Sequence, residues 1–537
     1  MKGKRLKRLG VIALAAVTIM LSACGSNGEG NSKSADKAGN AEDVSQESKE
    51  EGISADSPYA GKGFDLSDHK DLVMYALSDR PAAMDAVLEK LNTEYLEPWL
   101  NVTLRIEFLP WGVASERYPL VLSGGDPVDL IYSAAWMNYA SEVGNGAFME
   151  LTPEFLQKYL VYSYADQPET SWDQASIDGK IYGVPKSYAE FNVYNMALFR
   201  QDLLDKYKIG AIDSWDKLMS ALLTIAENER ENGIYANGQR GNDEMLYTWW
   251  QENDIAFLTS GYDFMYHTHN SEELPNWEED VEYVYFMPEF YEYCVQMNEL
   301  AAAGVWDPNK INDTTDVQML FESGRVASML WNASINSAGK NMENSGVGTY
   351  QIYDVTPNAK ASRGSYADGM MSIPNNSKEP ERAALVLDCI RGFQEVNLLL
   401  VGGIEGEHYT LTEEGYRQPG PKMEDYPWQS WAWGIQRYDE PVAYDEDPRQ
   451  LYFKETCEAK EYQPKVAGFT FSPTNVETEM AVVNSVVGEY RASFTLGMFG
   501  DDLDAKYEEF LGKLRDAGID KVMEECRAQY EAYCEGK

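Results

Sequence analysis

The order of apolar runs between residues 69 and 136 constrains this chain most. "HKDLVMYALSD" is a continuous apolar run that stops at a polar corner, and it predicts a buried strand ending at Ser78–Arg80. "PAAMDAVLEKLNTEYLEPWL" follows and predicts a helix with Pro81 at its first position. "NVTLRIEFLP" alternates Val102, Leu104, Ile106 and Phe108, the period of a second strand. "ASERYPLVLSG" predicts another helix and "DPVDLIYSA" a third strand. Strand–helix–strand–helix–strand means a parallel sheet with helices on its faces, so the fold class is α/β. Ligands of such sheets sit outside the carboxyl ends of the strands. Here those ends carry Asp79 and Arg80, Trp111, and Ser133 to Trp136.

The chain opens with Lys2, Lys4, Arg5, Lys7 and Arg8, then "VIALAAVTIML", then Leu21-Ser22-Ala23-Cys24. The apolar stretch is too short for a bilayer span of roughly 20 residues. A basic start, a short apolar run and a small-residue cut site form an export signal over residues 1–23. Leu-Ser-Ala-Cys resembles a bacterial lipobox, which implies acylation of Cys24 and a lipid anchor on the outer face of the cell membrane. The stretch 24–58 is rich in Ser, Gly and acidic residues and is expected to be a disordered tether.

The body of about 480 residues suffices for two or three domains. The formal net charge of −43 argues against nucleic acid and anionic lipid as partners. Cys294, Cys389, Cys457, Cys526 and Cys534 are far apart and show no metal spacing, so buried thiols are expected rather than a disulfide framework. The 35 Tyr and 13 Trp suit stacking against a neutral polar ligand.

Three stretches carry a resemblance. They are "SGGDPVDLIYSAAWMNYA", "SIDGKIYGVPKSYAEFNVYNMALFRQDLLDKY" and "FESGRVASMLWNAS", the last with Phe321, Gly324 and Ala327 in a Phe-x-x-Gly-x-x-Ala pattern. With "VGGIEGEHYTLTEEGYRQ" and the tail from "GFTFSPTNVETEM" onward, the chain after residue 60 resembles a solute-binding protein of a carbohydrate ABC importer. The broad family is that of the maltose-binding protein, and the tail resembles a lipoprotein subgroup from Firmicutes. The resemblance implies a periplasmic-binding-protein-like fold. Two discontinuous α/β lobes, 59–185 plus 345–405 and 186–344 plus 406–537, would be joined by hinge strands, one spanning Val184 to Tyr194, with the ligand in the cleft between. It implies a monomer that captures an oligosaccharide or modified sugar and passes it to membrane permease subunits. No catalysis, cofactor or metal is implied.

A sugar cleft needs flat apolar platforms ringed by hydrogen-bonding groups. The candidates are Asp79, Arg80, Trp111 and Trp136 at strand ends, Tyr188 and Glu190 at the hinge, Trp331 and Asn332 just after the "RVASML" strand, and Asp368 on a strand end of the returning segment "SYADGMMSIP". "YPWQSWAWGIQRYDEP" adds Trp431, Trp433 and Arg437. Of Trp249 and Trp250, about 100° apart on a helix, at most one can face the cleft. Glu405, Glu407 and His408 are read as structural bracing. His267 and His269 are read as solvated side chains, and "DPNKINDTTD" as a capped turn without the glycine and final glutamate of a calcium loop. There is no GxxxxGK[ST] and no HExxH. Two alternatives stay open: an exported glycosidase using a carboxylate pair, and the same fold serving a peptide or other non-sugar solute.

Overall fold

A computed structural model describes residues 52–536, apart from 126, 192, 240–243, 270–272, 314, 442 and 444–447. The export signal, Cys24 and most of the tether lie outside the described residues. The end of the tether is not loose as expected. The Ser54 amide donates to the Pro98 carbonyl (2.7 Å), and the Ser57 hydroxyl to that of Trp99 (2.7 Å). These bonds, and the buried Tyr59 ring, tie residues 54–59 to the first core.

The first three strands form as expected: β1 (Lys70–Ala76), β2 (Val102–Phe108) and β3 (Leu130–Ser133). β1 runs parallel to β2 from Lys70↔Val102 to Ala76↔Phe108, and parallel to β3. The sheet as a whole is mixed, which corrects the all-parallel expectation. The strand Met370–Ser372 enters late in the chain and runs antiparallel to β3 on one side and to Gly183–Pro185 on the other. A strand that returns from elsewhere in the molecule is not bound to the direction set by strand–helix crossovers.

The predicted helix over 81–100 is shorter and interrupted. It begins at Met84, widens into a π turn over Asn92–Leu96, and ends at Leu100. The Asn92 side chain explains the wide turn. It donates to the Leu104 carbonyl (3.0 Å) and accepts from the Leu104 amide (2.8 Å), pairing with β2 as a backbone group would.

After Pro185 the chain crosses to a second body. The crossing is not the continuous hinge strand expected over Val184 to Tyr194. Its backbone is bonded outside any ladder. The Lys186 amide donates to the Gly369 carbonyl and that of Ser187 to Gln436, while the Asn195 amide donates to Gln251 Oε1. A strand resumes at Met196–Arg200, flanked antiparallel by Ser328–Trp331 and Tyr350–Tyr353. A second antiparallel sheet joins Ile255–Phe257, Phe264–His267 and Val281–Tyr283. Long helices over Pro288–Ala303, Glu477–Thr495, Leu503–Asp516 and Ile519–Glu535 pack beside it.

Phe321, Gly324 and Ala327 have structural roles. Phe321 and Ala327 are buried, and Gly324 takes φ +75, a left-handed conformation that suits glycine between the helix Val317–Glu322 and the next strand.

The cores divide the chain differently from the expected lobe borders. The first core draws on residues 59–184 and 367–435. Two contiguous cores on the other side draw on 194–361 and 453–530. Residues 350–361 therefore pack with the second body. Tyr409, Tyr426, Trp433 and Ile435 pack with the first, where Tyr426 donates to the Leu400 carbonyl (2.7 Å). Both stretches were expected on the opposite side. Their apolar side chains follow the nearest core rather than a family border.

The five described cysteines are free thiols, four of them buried. Burial pushes the thiols of Cys389 and Cys526 up from their ordinary range. No described helix is long and apolar enough to cross a membrane.

Candidate functional site

A cavity of about 550 Å³ lies between the bodies. That size lies within the range of roughly 300–1,000 Å³ usual for small-molecule sites. The first body contributes Trp136, Gln174 and Asp368, and the second Trp250, Gln251, Tyr262, Tyr266 and Trp331. Lys360, Arg363 and Tyr462 line it from the segments that adjoin both.

Trp136 is held by its own sheet edge. Its Nε1 donates to the Asp368 carbonyl (2.8 Å), which also accepts from the Tyr132 hydroxyl (2.9 Å). The Asp368 carboxylate accepts from the Ser365 amide (2.9 Å) and the Ser260 hydroxyl (3.2 Å). Ser260 belongs to the hairpin between Ile255–Phe257 and Phe264–His267, so this bond joins the two bodies. Gly261 makes the approach possible. At φ +83, a Cβ there would lie 2.5 Å from the Ala135 carbonyl oxygen.

Trp136 stacks on Trp111 with ring centroids 6.1 Å apart, and Trp111 meets Trp431 at 5.5 Å. All three indoles are exposed, at 43%, 47% and 41%. Parallel β1, β2 and β3 place Trp111 and Trp136 at one edge. The Leu77 amide brings the third by donating to the Ala432 carbonyl (3.2 Å), and the Ser78 hydroxyl adds a bond to Gln429 Oε1 (2.6 Å).

Trp433 does not join them. It is 2% exposed and packs edge-on against Phe108 at 5.8 Å. The turn Ser430–Trp433 is a 3-10 helix with three residues per turn. Positions 431 and 433 therefore face different ways, one out and one into the core.

Several other candidates lie outside the cavity lining. Arg80 pairs with Asp85 (2.6 Å), and the neighbouring Asp79 is likewise exposed. Arg437 clamps Asp439 through two bonds (2.7 and 2.9 Å) and is otherwise buried. Glu190 accepts from Gln436 (2.6 Å), and Asn332 Oδ1 accepts from the Ser334 amide (3.0 Å). Tyr188 accepts from Arg363 (3.3 Å) at the cavity margin. These side chains brace turns and the crossing.

Trp249 turns to the core, donating to the Glu289 carbonyl (2.8 Å), while Trp250 lines the cavity. Tyr262, Tyr266 and Tyr462 were missed by sequence reasoning. Alternation in "GYDFMYH" put Tyr262 and Tyr266 on one face of a strand pattern, but not opposite any particular wall. Burial raises the phenol of Tyr266, with the Tyr462 hydroxyl adding to the effect. Burial pushes that of Tyr262 up to about 12 against an opposing hydrogen bond to Ser141. Both stay neutral donors at physiological pH. Arg363 is held above its ordinary range by hydrogen bonding to Glu461 (2.8 Å), with Tyr188 adding to the effect.

Among the described residues no group of three or more His, Cys, Asp or Glu could hold a metal ion. His267 and His269 instead face Glu289 (3.3 Å) and Asp280 (3.2 Å). His408 is buried in a turn, its Nδ1 accepting from the Ile404 amide (2.8 Å), and burial lowers its pKa.

Two bodies, a crossing and a cavity between them fit the family comparison. Residues 78–391 match the model for "Bacterial extracellular solute-binding protein". The chain belongs to that family. As a bacterial extracellular solute-binding protein it is a binding protein and not an enzyme, which removes the glycosidase alternative. Residues 465–535, the helices nearest the C-terminus, match a domain of unknown function (DUF3502).

Solved structures share the fold. The N-glycan transport solute binding protein (NgtS) from Streptococcus pneumoniae is 19% identical, with TM-score 0.67 over 87% of this chain and 99% of its own. A human-milk-oligosaccharide (HMO) binding, ABC-transporter-associated solute-binding protein from Bifidobacterium longum infantis is 13% identical, with TM-score 0.58 over 87% and 99%. The ABC substrate-binding protein Lmo0181 from Listeria monocytogenes, solved with cycloalternan, is 12% identical, with TM-score 0.51 over 82% and 98%. No curated protein sequence matches the chain.

Proposed function

We propose that this solute-binding protein captures an oligosaccharide or modified sugar outside the cell and delivers it to the permease of an ABC importer. The carrying observation is the cavity. Its rings, Trp136, Trp250, Trp331, Tyr262, Tyr266 and Tyr462, alternate with amide and charged hydrogen-bonding groups. Sugar rings have apolar C–H faces that stack on aromatics and hydroxyls that need partners. Leaving a buried partner unpaired costs roughly 1–3 kcal/mol, which makes such a site selective. Sugar-binding relatives with the same fold support the reading. So does the lipobox. In this reading Cys24 is acylated, the chain is a monomer of the Firmicutes lipoprotein subgroup, and residues 25–51 tether it to the membrane. Contacts from both bodies to one ligand would favour a closed state, the state presented to the permease.

The test is a thermal-shift screen of the full chain against neutral and acidic saccharides and short peptides. A ligand that binds only the folded state raises the melting temperature. A shift with an intact sugar supports the reading. A shift with peptides alone assigns the fold to another solute. Replacing Cys24→Ser releases the protein to the medium or leaves it unprocessed, and normal processing with membrane retention would overturn the anchor.

A further inference from the structure

Trp111 is in ring contact with the lining residue Trp136, and Trp431 with Trp111; both are large and exposed and lie beyond the cavity's lining. Trp136 belongs to both settings: it lines the cavity and stacks on Trp111. The three indoles come from three separate stretches, each held in a tight 3-10 turn. Core packing does not explain them, since each keeps more than two-fifths of its surface in water. Exposed aromatic clusters of this kind mark binding surfaces.

The charges around the cavity select among ligands. Among the described lining residues the cations are Lys360, Arg363 and Arg491. Lys360 donates to the Thr268 carbonyl (2.9 Å), Arg363 pairs with Glu461, and Arg491 pairs with Asp263 (3.4 Å). Each is engaged by a protein acceptor, and the acidic lining residues Glu244, Asp254, Asp263 and Asp368 outnumber them. An anionic ligand would enter against this field.

Resting on the carbohydrate reading above, we infer that the binding surface continues out of the cavity along Trp111 and Trp431. It forms an outer subsite for a neutral oligosaccharide longer than the cavity encloses. One end sits among the tyrosines of the second body. The other leaves past Trp136, and its rings lie on the exposed indoles. Trp111 and Trp431 thus read ligand length.

The experiment is calorimetric titration of the full chain with a homologous neutral series from disaccharide to hexasaccharide, and with an acidic series of the same lengths. The quantity read is the ratio of long-ligand to short-ligand affinity. The wild-type ratio is expected to be tenfold or more, and Trp431→Ala to reduce it by about tenfold, the scale of one aromatic contact. Trp111→Gln reads the same ratio should Trp431→Ala fail to fold, and thermal unfolding of each variant checks this. A ratio unchanged in both variants overturns the outer subsite while leaving the cavity as a sugar site. Tighter binding of the acidic series overturns the neutral ligand. Silence from every saccharide overturns the functional reading itself, and this inference with it.

Discussion

The two bodies present aromatics at and beside the cavity in opposite ways. The first body offers indoles that stand out from turns at a sheet edge: Trp111, Trp136 and Trp431, all exposed. The second offers phenols set into its fold. Tyr266 is 4% exposed, and Tyr285, Tyr293 and Phe290 of the same core are fully buried. Tyr285 packs edge-on against Phe290 at 4.9 Å and Phe510 at 5.2 Å. An exposed ring contributes little to folding and is available to a ligand. A buried ring contributes to the core, and only its hydroxyl or one edge reaches the cavity. The first body therefore presents an outer stacking platform, and the second adds to Trp250 and Trp331 a rim of hydrogen-bonding phenols.

Two core substitutions test that contrast with the largest effects. Phe290→Ala in the second body and Trp433→Ala in the first should each lower unfolding free energy by about 3–5 kcal/mol, the range for deleting a buried aromatic, in denaturant titrations. Trp433 is as inward as Trp431 is outward, so a loss under 1 kcal/mol for Trp433→Ala would contradict its placement in the core. The density of tryptophans in its stretch suggests binding, but with Trp433 buried its effect on affinity should follow only from stability.

Glu440 gives a pH signature to the segment that carries Trp431. Burial pushes its carboxyl from 4.5 up to about 7, with the Glu190 charge also raising it and hydrogen bonds from the Arg437 amide and Ser430 opposing. A carboxyl raised in the folded state keeps its proton after the unfolded chain has lost it. Stability therefore falls as pH rises from about 4.5 to about 7, by up to about 3 kcal/mol, and is level above that. Glu440→Gln should remove this slope, and an unchanged slope in urea titrations at pH 5 and pH 7 would mean the group titrates normally.

Gly261→Val sharpens the comparison where the walls meet. The added side chain strains a positive φ and collides with the Ala135 carbonyl, so ligand affinity should fall by about 1–2 kcal/mol, read by calorimetry. The smallest effect on folding belongs to Trp431→Ala. Its unfolding free energy should change by less than about 1 kcal/mol, because a two-fifths-exposed ring adds little burial. A loss as large as that for Trp433→Ala would erase the distinction between platform and core.

Parts of the site were legible in advance. Parallel strands carry their carboxyl ends to one edge, so Trp111 and Trp136 could be paired from strand order alone. Trp331 could be placed at the end of a later strand, and it lines the cavity; Asp368 lines it too, but from the amino end of Met370–Ser372, which reaches the same edge because that strand runs antiparallel. Asp79 and Arg80 show the limit of that rule. They occupy a strand end too, but Asp85 lies within reach of Arg80 and holds it on the surface. Tyr188 and Glu190 lie at the expected hinge, Asn332 follows a strand and Arg437 ends the tryptophan-rich stretch, but partners a few residues away or across the crossing take up their hydrogen bonds. Tyr262, Tyr266 and Tyr462 could not be found, because nothing in a hairpin's own residues says which surface it will face.

The sequence by itself determined the strand–helix alternation of the first body and the acidic composition that argues against nucleic acid as a partner. These follow from local periodicity and charge, which act over a few residues at a time. The tertiary structure alone decided that Met370–Ser372 enters the sheet antiparallel, that residues 406–435 return to the first core, and that Trp431 faces water while Trp433 is buried. Such outcomes depend on contacts between residues hundreds of positions apart, as where Leu77 donates to Ala432. Burial of the nearest apolar surface settles them only once both partners have been brought together.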